Sequence, residues 1–220
     1  MSISNRSPLL LPRQERFAGL PAKLPRLARG MRIGLFGGTF NPPHDGHRLA
    51  SLIAKKRMEL SAVWWIVTPG NPLKENSGLP PMLRRMEAAR AIADHPDINV
   101  TGFEADIGTP YTYETIHYLV KRHPDVHFVW IMGADNLTGF HRWQRWQDIT
   151  RLVPICVIDR PASTLRGASS RVAHRLAGHR VAEKDAPLLP YAQAPAFMFL
   201  HGPRSDLSST ELRAKGKGLV

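Results

Sequence analysis

Arg32-Ile33-Gly34-Leu35-Phe36-Gly37-Gly38-Thr39-Phe40-Asn41-Pro42-Pro43-His44-Asp45-Gly46-His47 runs from a β-rich apolar segment, through paired glycines and paired prolines, into the start of an amphipathic helix. Gly37 and Gly38 let main-chain N–H groups approach an anion with no Cβ in the way, and the following helix aims its positive N-terminal end at the same place. That is the outline of a nucleotide-phosphate site. It is neither GxGxxG nor GxxxxGK[ST], because no Lys follows the glycines and two histidines fill the second half. His44 and His47 stand three residues apart, so with His47 opening the helix the two imidazoles converge on one anion and stabilise its charge. The competing readings are a structural turn or a zinc site. Zinc is opposed by the lack of any Cys, third His or acid at ligand spacing nearby.

Outward from this stretch, β-rich runs alternate with helical patterns. The expected strands are Arg32 to Phe36, Ala62 to Val67, Ile98 to Phe103, Val126 to Met132, Pro154 to Ile158 and Ala196 to Leu200. Between them lie helical stretches near His47 to Met58, Met82 to Asp94, Thr112 to Arg122, Trp143 to Leu152 and Ser170 to Leu176. Strand and helix in alternation predict an α/β fold with a doubly wound parallel sheet, whose ligands bind beyond the carboxyl ends of the strands. Trp64 and Trp65, inside a strand, are expected to pack.

The chain has 220 residues, 43% of them hydrophobic and 22% charged, enough for the core of one domain. Its 30 Lys and Arg against 18 Asp and Glu give a net charge of +12, which favours polyanionic partners. Half of that excess precedes residue 33, where Arg6, Arg13, Arg16, Lys23, Arg26, Arg29 and Arg32 face only Glu15. Residues 1–30, rich in Pro and Arg, are expected to be a flexible basic extension, with residues 31–220 forming one domain. The one cysteine, Cys156, sits in an apolar run and reads as a buried small hydrophobe in a cytoplasmic protein. No segment has the length or apolarity of a membrane span or secretory signal, so no membrane partner is expected. Nucleic acid is not expected either, since the charge is concentrated on the extension and no recognition-helix or aromatic stacking pattern follows.

The run Gly37-Gly38-Thr39-Phe40-Asn41-Pro42-Pro43-His44-Asp45-Gly46-His47 resembles the signature of the nucleotidyltransferase superfamily with the (H/T)xGH motif, in the form found in bacterial nicotinate-mononucleotide adenylyltransferases. Near the other end, Leu207-Ser208-Ser209-Thr210-Glu211-Leu212-Arg213 is similar to that family's ISSTxIR motif. A Ser or Thr there can cap a short helix, and Arg213 falls one turn on, within reach of a polyphosphate at the helix start. The resemblance covers residues 32 to 213 and implies a Rossmann-like nucleotidyltransferase fold. It implies that Gly37, Gly38, Thr39, Phe40, His47, Ser208, Ser209, Thr210 and Arg213 bind ATP, that His44, His47 and Arg213 are catalytic, and that Mg²⁺ accompanies the polyphosphate.

The middle of the chain selects the acceptor. Thr68-Pro69-Gly70-Asn71-Pro72-Leu73-Lys74 is similar to the family loop in which an Asn and a basic residue face the mononucleotide, which implicates Asn71 and Lys74. Thr109-Pro110-Tyr111-Thr112-Tyr113-Glu114-Thr115 resembles the (S/T)YTxxT segment that meets the pyridine carboxylate. A helix N-terminus suits a carboxylate better than a carboxamide, which favours nicotinate at Thr112. Gly133-Ala134-Asp135-Asn136-Leu137 and Phe140-His141-Arg142-Trp143 are like the family's GxDxL and FxxW stretch. Trp143 would stack on the pyridine ring and Asp135 would bind ribose or metal-bound phosphate, while Trp146, at helical spacing from Trp143, would be core. The expected reaction is adenylyl transfer from ATP to nicotinate mononucleotide, with no protein nucleophile. Nicotinamide mononucleotide and phosphopantetheine are alternative acceptors, a nucleic-acid-binding regulator is the alternative from another class, and a homo-oligomer is left open.

Overall fold

The computed structural model describes residues 24–73, 76–159, 167–202 and 209–219. Lys74, Ser208 and most of the expected N-terminal extension lie outside the described residues.

The strands are β1 Arg32–Gly38, β2 Ala62–Val67, β3 Ile98–Thr101, β4 His127–Gly133, β5 Ile155–Ile158 and β6 Phe197–Leu200. They form one parallel sheet in the order β3-β2-β1-β4-β5-β6. The helices are α1 Asp45–Arg57, α2 Met82–Ala93, α3 Phe103–Asp106, α4 Thr112–Arg122, α5 Ala134–Leu137, α6 Trp146–Leu152, α7 Arg171–Arg175 and α8 Ser209–Ala214. A 3₁₀ stretch at Glu183–Tyr191 leads towards β6. This is the doubly wound parallel sheet expected from the alternation, and the Rossmann-like arrangement implied by the resemblance.

A strand covered on both faces needs apolar side chains pointing both ways, and every residue of β2 is buried. Successive side chains alternate between faces. Leu35, Trp64 and Trp130 pack with Ile116, Leu119, Ile149 and Val172. Phe36, Trp65 and Val129 pack with Ala54, Met86, Ala89 and Leu189 on the other face. Full burial of each large side chain contributes roughly 1.5–3 kcal/mol, so these two layers dominate the stability of the sheet.

The order reverses between β1 and β4, which lie side by side but continue in opposite directions across the sheet. At such a switch point the connections leave towards opposite faces and open a crevice at the carboxyl ends of the strands. Among the described residues no helix is long and apolar enough to cross a membrane.

Some boundaries differ from expectation. Leu24 and Leu27 pack against the core rather than belonging to a loose extension, and the Gly30 amide donates to the Asp125 carbonyl at 2.7 Å. The β3 strand stops at Thr101, and Phe103 opens α3 instead of ending the strand. Trp143 stands outside α6, because Arg145 adopts a left-handed conformation (φ 55°) that interrupts the helical path. Arg145 is held there by its guanidinium lying 3.6 Å from the Tyr113 ring centroid and by Nε donating to Asp148 at 2.9 Å.

Candidate active site

A cleft of about 470 Å³ opens at the carboxyl ends of β1, β2 and β4. Gly37, Gly38, Thr39, Phe40, His47, Asn71, Thr112, Asp135, Trp143, Ser209, Thr210 and Arg213 all line it.

The glycines have different local reasons. A Cβ on Gly37 would lie 2.5 Å from the Trp130 ring, so the buried indole leaves no room for one. A Cβ on Gly38 would meet Phe40 at 3.4 Å, close to ordinary contact. Phe40 turns the chain at a positive φ of 47°. Its ring is buried, stacked on Trp65 at 4.9 Å and tilted against His47 at 5.0 Å, and this packing offsets the strained backbone.

The helix after the loop begins at Asp45, not His47. His44 is therefore the N-cap, with extended backbone, and His47 sits in the first turn. The His44 amide donates to Nδ1 of His47 at 3.2 Å, and the rings pack with centroids 3.9 Å apart. Nδ1 of His47 is thereby an acceptor carrying no proton, so Nε2 carries the ring N–H. His44 is buried and does not line the cleft. The two imidazoles are therefore layered, with His47 nearer the cleft, rather than converging side by side as expected. Capping turns the His44 side chain inward. Beneath them, Trp65 Nε1 donates to Ser51 Oγ at 2.7 Å, and Ser51 Oγ donates to the His47 carbonyl at 2.9 Å.

The two ends of the motif set meet in space. Ser209 Oγ donates to the Pro42 carbonyl at 2.8 Å, and Arg213 Nη1 donates to the Asn41 carbonyl. Arg213 Nη2 also reaches Thr210 Oγ1 at 3.2 Å. Ser209 and Thr210 lie inside α8 rather than capping it, and Ser209 uses its hydroxyl hydrogen to dock α8 on the first loop.

Trp143 also lines the cleft, packed edge-on to Phe140 at 5.0 Å and to Trp130 at 6.0 Å. Trp146 packs on Phe140 at 6.2 Å and does not line the cleft. Thr112 is the first residue of α4 and Tyr111 its N-cap. The first helical bond runs from the Thr115 amide to the Tyr111 carbonyl at 3.2 Å, so the amides of residues 112–114 have no carbonyl partner within the helix. Asn71 Oδ1 accepts from the Leu73 amide at 2.9 Å, and Asp135 stands just beyond β4.

Two buried ionisable groups beside the cleft escaped the sequence reading. Arg85, on α2, donates to the carbonyls of Pro80, Thr39 and Thr68 at 2.9, 2.9 and 2.8 Å. Burial lowers its pKa to about 10, so it stays charged at neutral pH. Its signal was positional, since Arg85 stands on the stripe of Met82, Met86, Ala89 and Ala93 that faces the core. Glu104, on α3, lines the cleft with its carboxyl buried, and that burial pushes its pKa up to about 7. It stands one residue past the expected strand Ile98 to Phe103, where no element was expected.

Comparison with known proteins agrees with the fold and the motifs. Residues 35–215 match the family model described as cytidylyltransferase-like. A protein of Methylorubrum extorquens (strain PA1) named "Probable nicotinate-nucleotide adenylyltransferase" is 55% identical over 185 residues, which is 84% of this chain and 100% of that protein. One of the same name from Rhizobium johnstonii is 52% identical over 86% of this chain and 96% of its own length. The solved Plasmodium falciparum nicotinic acid mononucleotide adenylyltransferase complexed with NaAD superposes with a TM-score of 0.60 at 15% identity, covering 84% of this chain and 83% of that one. The chain belongs to the nicotinate-nucleotide adenylyltransferase family, within the cytidylyltransferase-like group.

Proposed function

We propose that the protein transfers the adenylyl group of ATP to nicotinate mononucleotide, releasing pyrophosphate and forming nicotinate adenine dinucleotide for NAD synthesis in the cytoplasm. One observation carries this assignment: α8 docks on the Asn41-Pro42 turn, so that Arg213, Thr210, His47 and the Gly37 to Phe40 loop line one cleft together with Trp143 and Thr112 at the start of α4.

A 5′-phosphate oxygen of the acceptor attacks the α-phosphorus of ATP in line, a new P–O bond forms, and the bond to the bridging oxygen breaks as pyrophosphate leaves. The attacking phosphate is already anionic, so alignment and charge neutralisation are what the protein supplies. His47 donates from Nε2 to the reacting phosphate, and His44 holds that ring through its amide. Arg213, Ser209 and Thr210, with Ser208 and the amides of Gly38 to Phe40, bind the polyphosphate. ATP enters as its Mg²⁺ complex. Among the described residues no three His, Cys, Asp or Glu side chains gather in one place. Asp135 is the cleft carboxylate suited to ribose hydroxyls or to that cation's water shell. On the acceptor side, Trp143 stacks on the pyridine ring, the first-turn amides of α4 at Thr112 meet the carboxylate, and Asn71 with Lys74 holds the phosphate.

The test is pyrophosphate release from MgATP with nicotinate mononucleotide, nicotinamide mononucleotide and phosphopantetheine supplied separately. Strong preference for the first is expected. Preference for phosphopantetheine would overturn the acceptor assignment while leaving adenylyl transfer intact.

A further inference from the structure

Among the described residues, Glu104 is the one buried carboxyl in the cleft wall that adenylyl transfer does not employ. It is 3% exposed, yet it borders the cleft alongside Tyr111 and Thr112. Its Oε1 accepts from Thr115 Oγ1 at 2.7 Å, so it is tied directly to α4, one turn below Thr112. Oε2 is also buried and has no hydrogen-bond partner among the described residues. The Thr68 hydroxyl also lies close enough to this carboxyl to favour its ionised form, but it gives its hydrogen to the Gly70 carbonyl at 2.8 Å. An anionic Oε2 in that setting lacks a donor, whereas a protonated one is itself a donor in need of an acceptor.

We propose that Glu104 decides between an acidic and an amide pyridine ring, its protonated carboxyl donating through Oε2 to the ring carboxylate of the acceptor and its ionised form repelling that group. The inference rests on the acceptor assignment above. A ring carboxylate offers only acceptors, so it pairs with a protonated Glu104. A ring carboxamide offers both a carbonyl and N–H groups, so it pairs with either form. Selectivity for the acid is therefore a function of Glu104 protonation.

The electrostatic surroundings suit a carboxyl that titrates near neutrality. The elements packed on it supply hydroxyls rather than charges, Thr115 from α4 and Thr68 from the loop after β2, and burial is the largest influence, raising its pKa to about 7. Arg85 approaches that loop only through the Thr68 carbonyl. On its own element Asp106 is two residues away and on α4 Glu114 follows Tyr113, while His47, Tyr111, Asp135, Arg142 and Arg213 border the same cleft.

The experiment measures kcat/KM for nicotinate mononucleotide and for nicotinamide mononucleotide from about pH 6 to about pH 8.5, spanning neutrality where the carboxyl titrates. The ratio of the two cancels the titration of the shared 5′-phosphate. The wild-type ratio is expected to fall by about tenfold or more as pH rises, each tenfold being one unit of proton linkage. Glu104→Gln, which donates at every pH and never ionises, is expected to retain preference for the acid with a ratio that no longer depends on pH. Glu104→Ala, which neither donates nor repels, is expected to give a ratio independent of pH that lies below the wild-type value at about pH 6 and above it at about pH 8.5. A wild-type ratio flat with pH, or a Glu104→Gln ratio that still falls, would overturn the proposal. Equal loss on both acceptors in Glu104→Gln with the pH dependence retained would also overturn it, because a purely structural tether to Thr115 predicts that pattern. Turnover of neither mononucleotide by the wild type would instead remove the acceptor assignment beneath it.

Discussion

Arg85 donates through Nη1 to the carbonyl of Thr39 at 2.9 Å, joining the middle of the first phosphate loop to α2. The same nitrogen reaches the Thr68 carbonyl at 2.8 Å, and Nε reaches Pro80 at 2.9 Å. One buried guanidinium therefore fixes the relative positions of the segments following β1 and β2 on which the cleft depends. Among the described residues it forms no ion pair, so its charge remains beneath the phosphate end of the cleft.

Arg85→Lys replaces a planar fork with a single ammonium that cannot span these carbonyls. It is expected to lower kcat/KM by about tenfold or more through misplaced loops. Arg85→Met, which leaves buried carbonyls unpaired, is expected to lose roughly 2–5 kcal/mol of stability. Urea melts beside steady-state kinetics separate the two effects.

His47→Ala is expected to fold normally and lose about 10²-fold to 10³-fold in kcat, as for removal of one preorganised donor to a transition-state oxyanion. Because Nδ1 of His47 accepts from the His44 amide, the useful proton lies on Nε2. His47→Gln, whose amide reaches the Nε2 position, is expected to retain more activity than His47→Asn. The reverse order in single-turnover rates would contradict the assigned tautomer.

Trp143→Ala is expected to raise KM for the mononucleotide by roughly tenfold or more at unchanged KM for ATP, the loss of one base-stacking contact. Trp146→Ala, which removes a packing group outside the cleft, is expected to lower the melting temperature and leave both KM values in place.

Gly37→Ala sets a Cβ 2.5 Å from the far edge of the Trp130 ring and is expected to cost about 1–3 kcal/mol by overpacking. Trp130→Phe removes that edge. The double variant is expected to be more stable than the two separate losses sum to, which a double-mutant cycle of denaturation measures.

The buried Glu104 carboxyl also links stability to pH. Its folded pKa of about 7 stands above the ordinary 4.5, so between those values the folded protein keeps a proton that the unfolded chain has released. Its contribution is intact below pH 4.5, declines as pH rises, and is lost above about pH 7, roughly 3 kcal/mol in all. Glu104→Gln is expected to flatten the melting temperature over that window.

The strands were legible in the sequence because a parallel strand buried on both faces must be an unbroken apolar run. Ala62 to Val67 is such a run and matches β2 at both ends. The phosphate loop was legible for the same local reason, since paired glycines and a helix start are consecutive in the chain. Elements shorter than a few turns were not. Phe103–Asp106 has no periodicity to display, and the turn at Arg145 depends on Tyr113, a residue distant in sequence.

By itself the sequence determined the order and direction of the elements, and with them the end of the sheet where a ligand binds, because periodicity and turn residues act between neighbours in the chain. Only the tertiary structure decided that Trp130 is what forbids a side chain at Gly37, that His44 lies behind His47, that α8 docks on the Asn41-Pro42 turn, and that Arg85 and Glu104 are buried at the cleft. Each of these depends on groups separated in sequence, where burial and hydrogen bonding are properties of the assembled surfaces rather than of any local pattern.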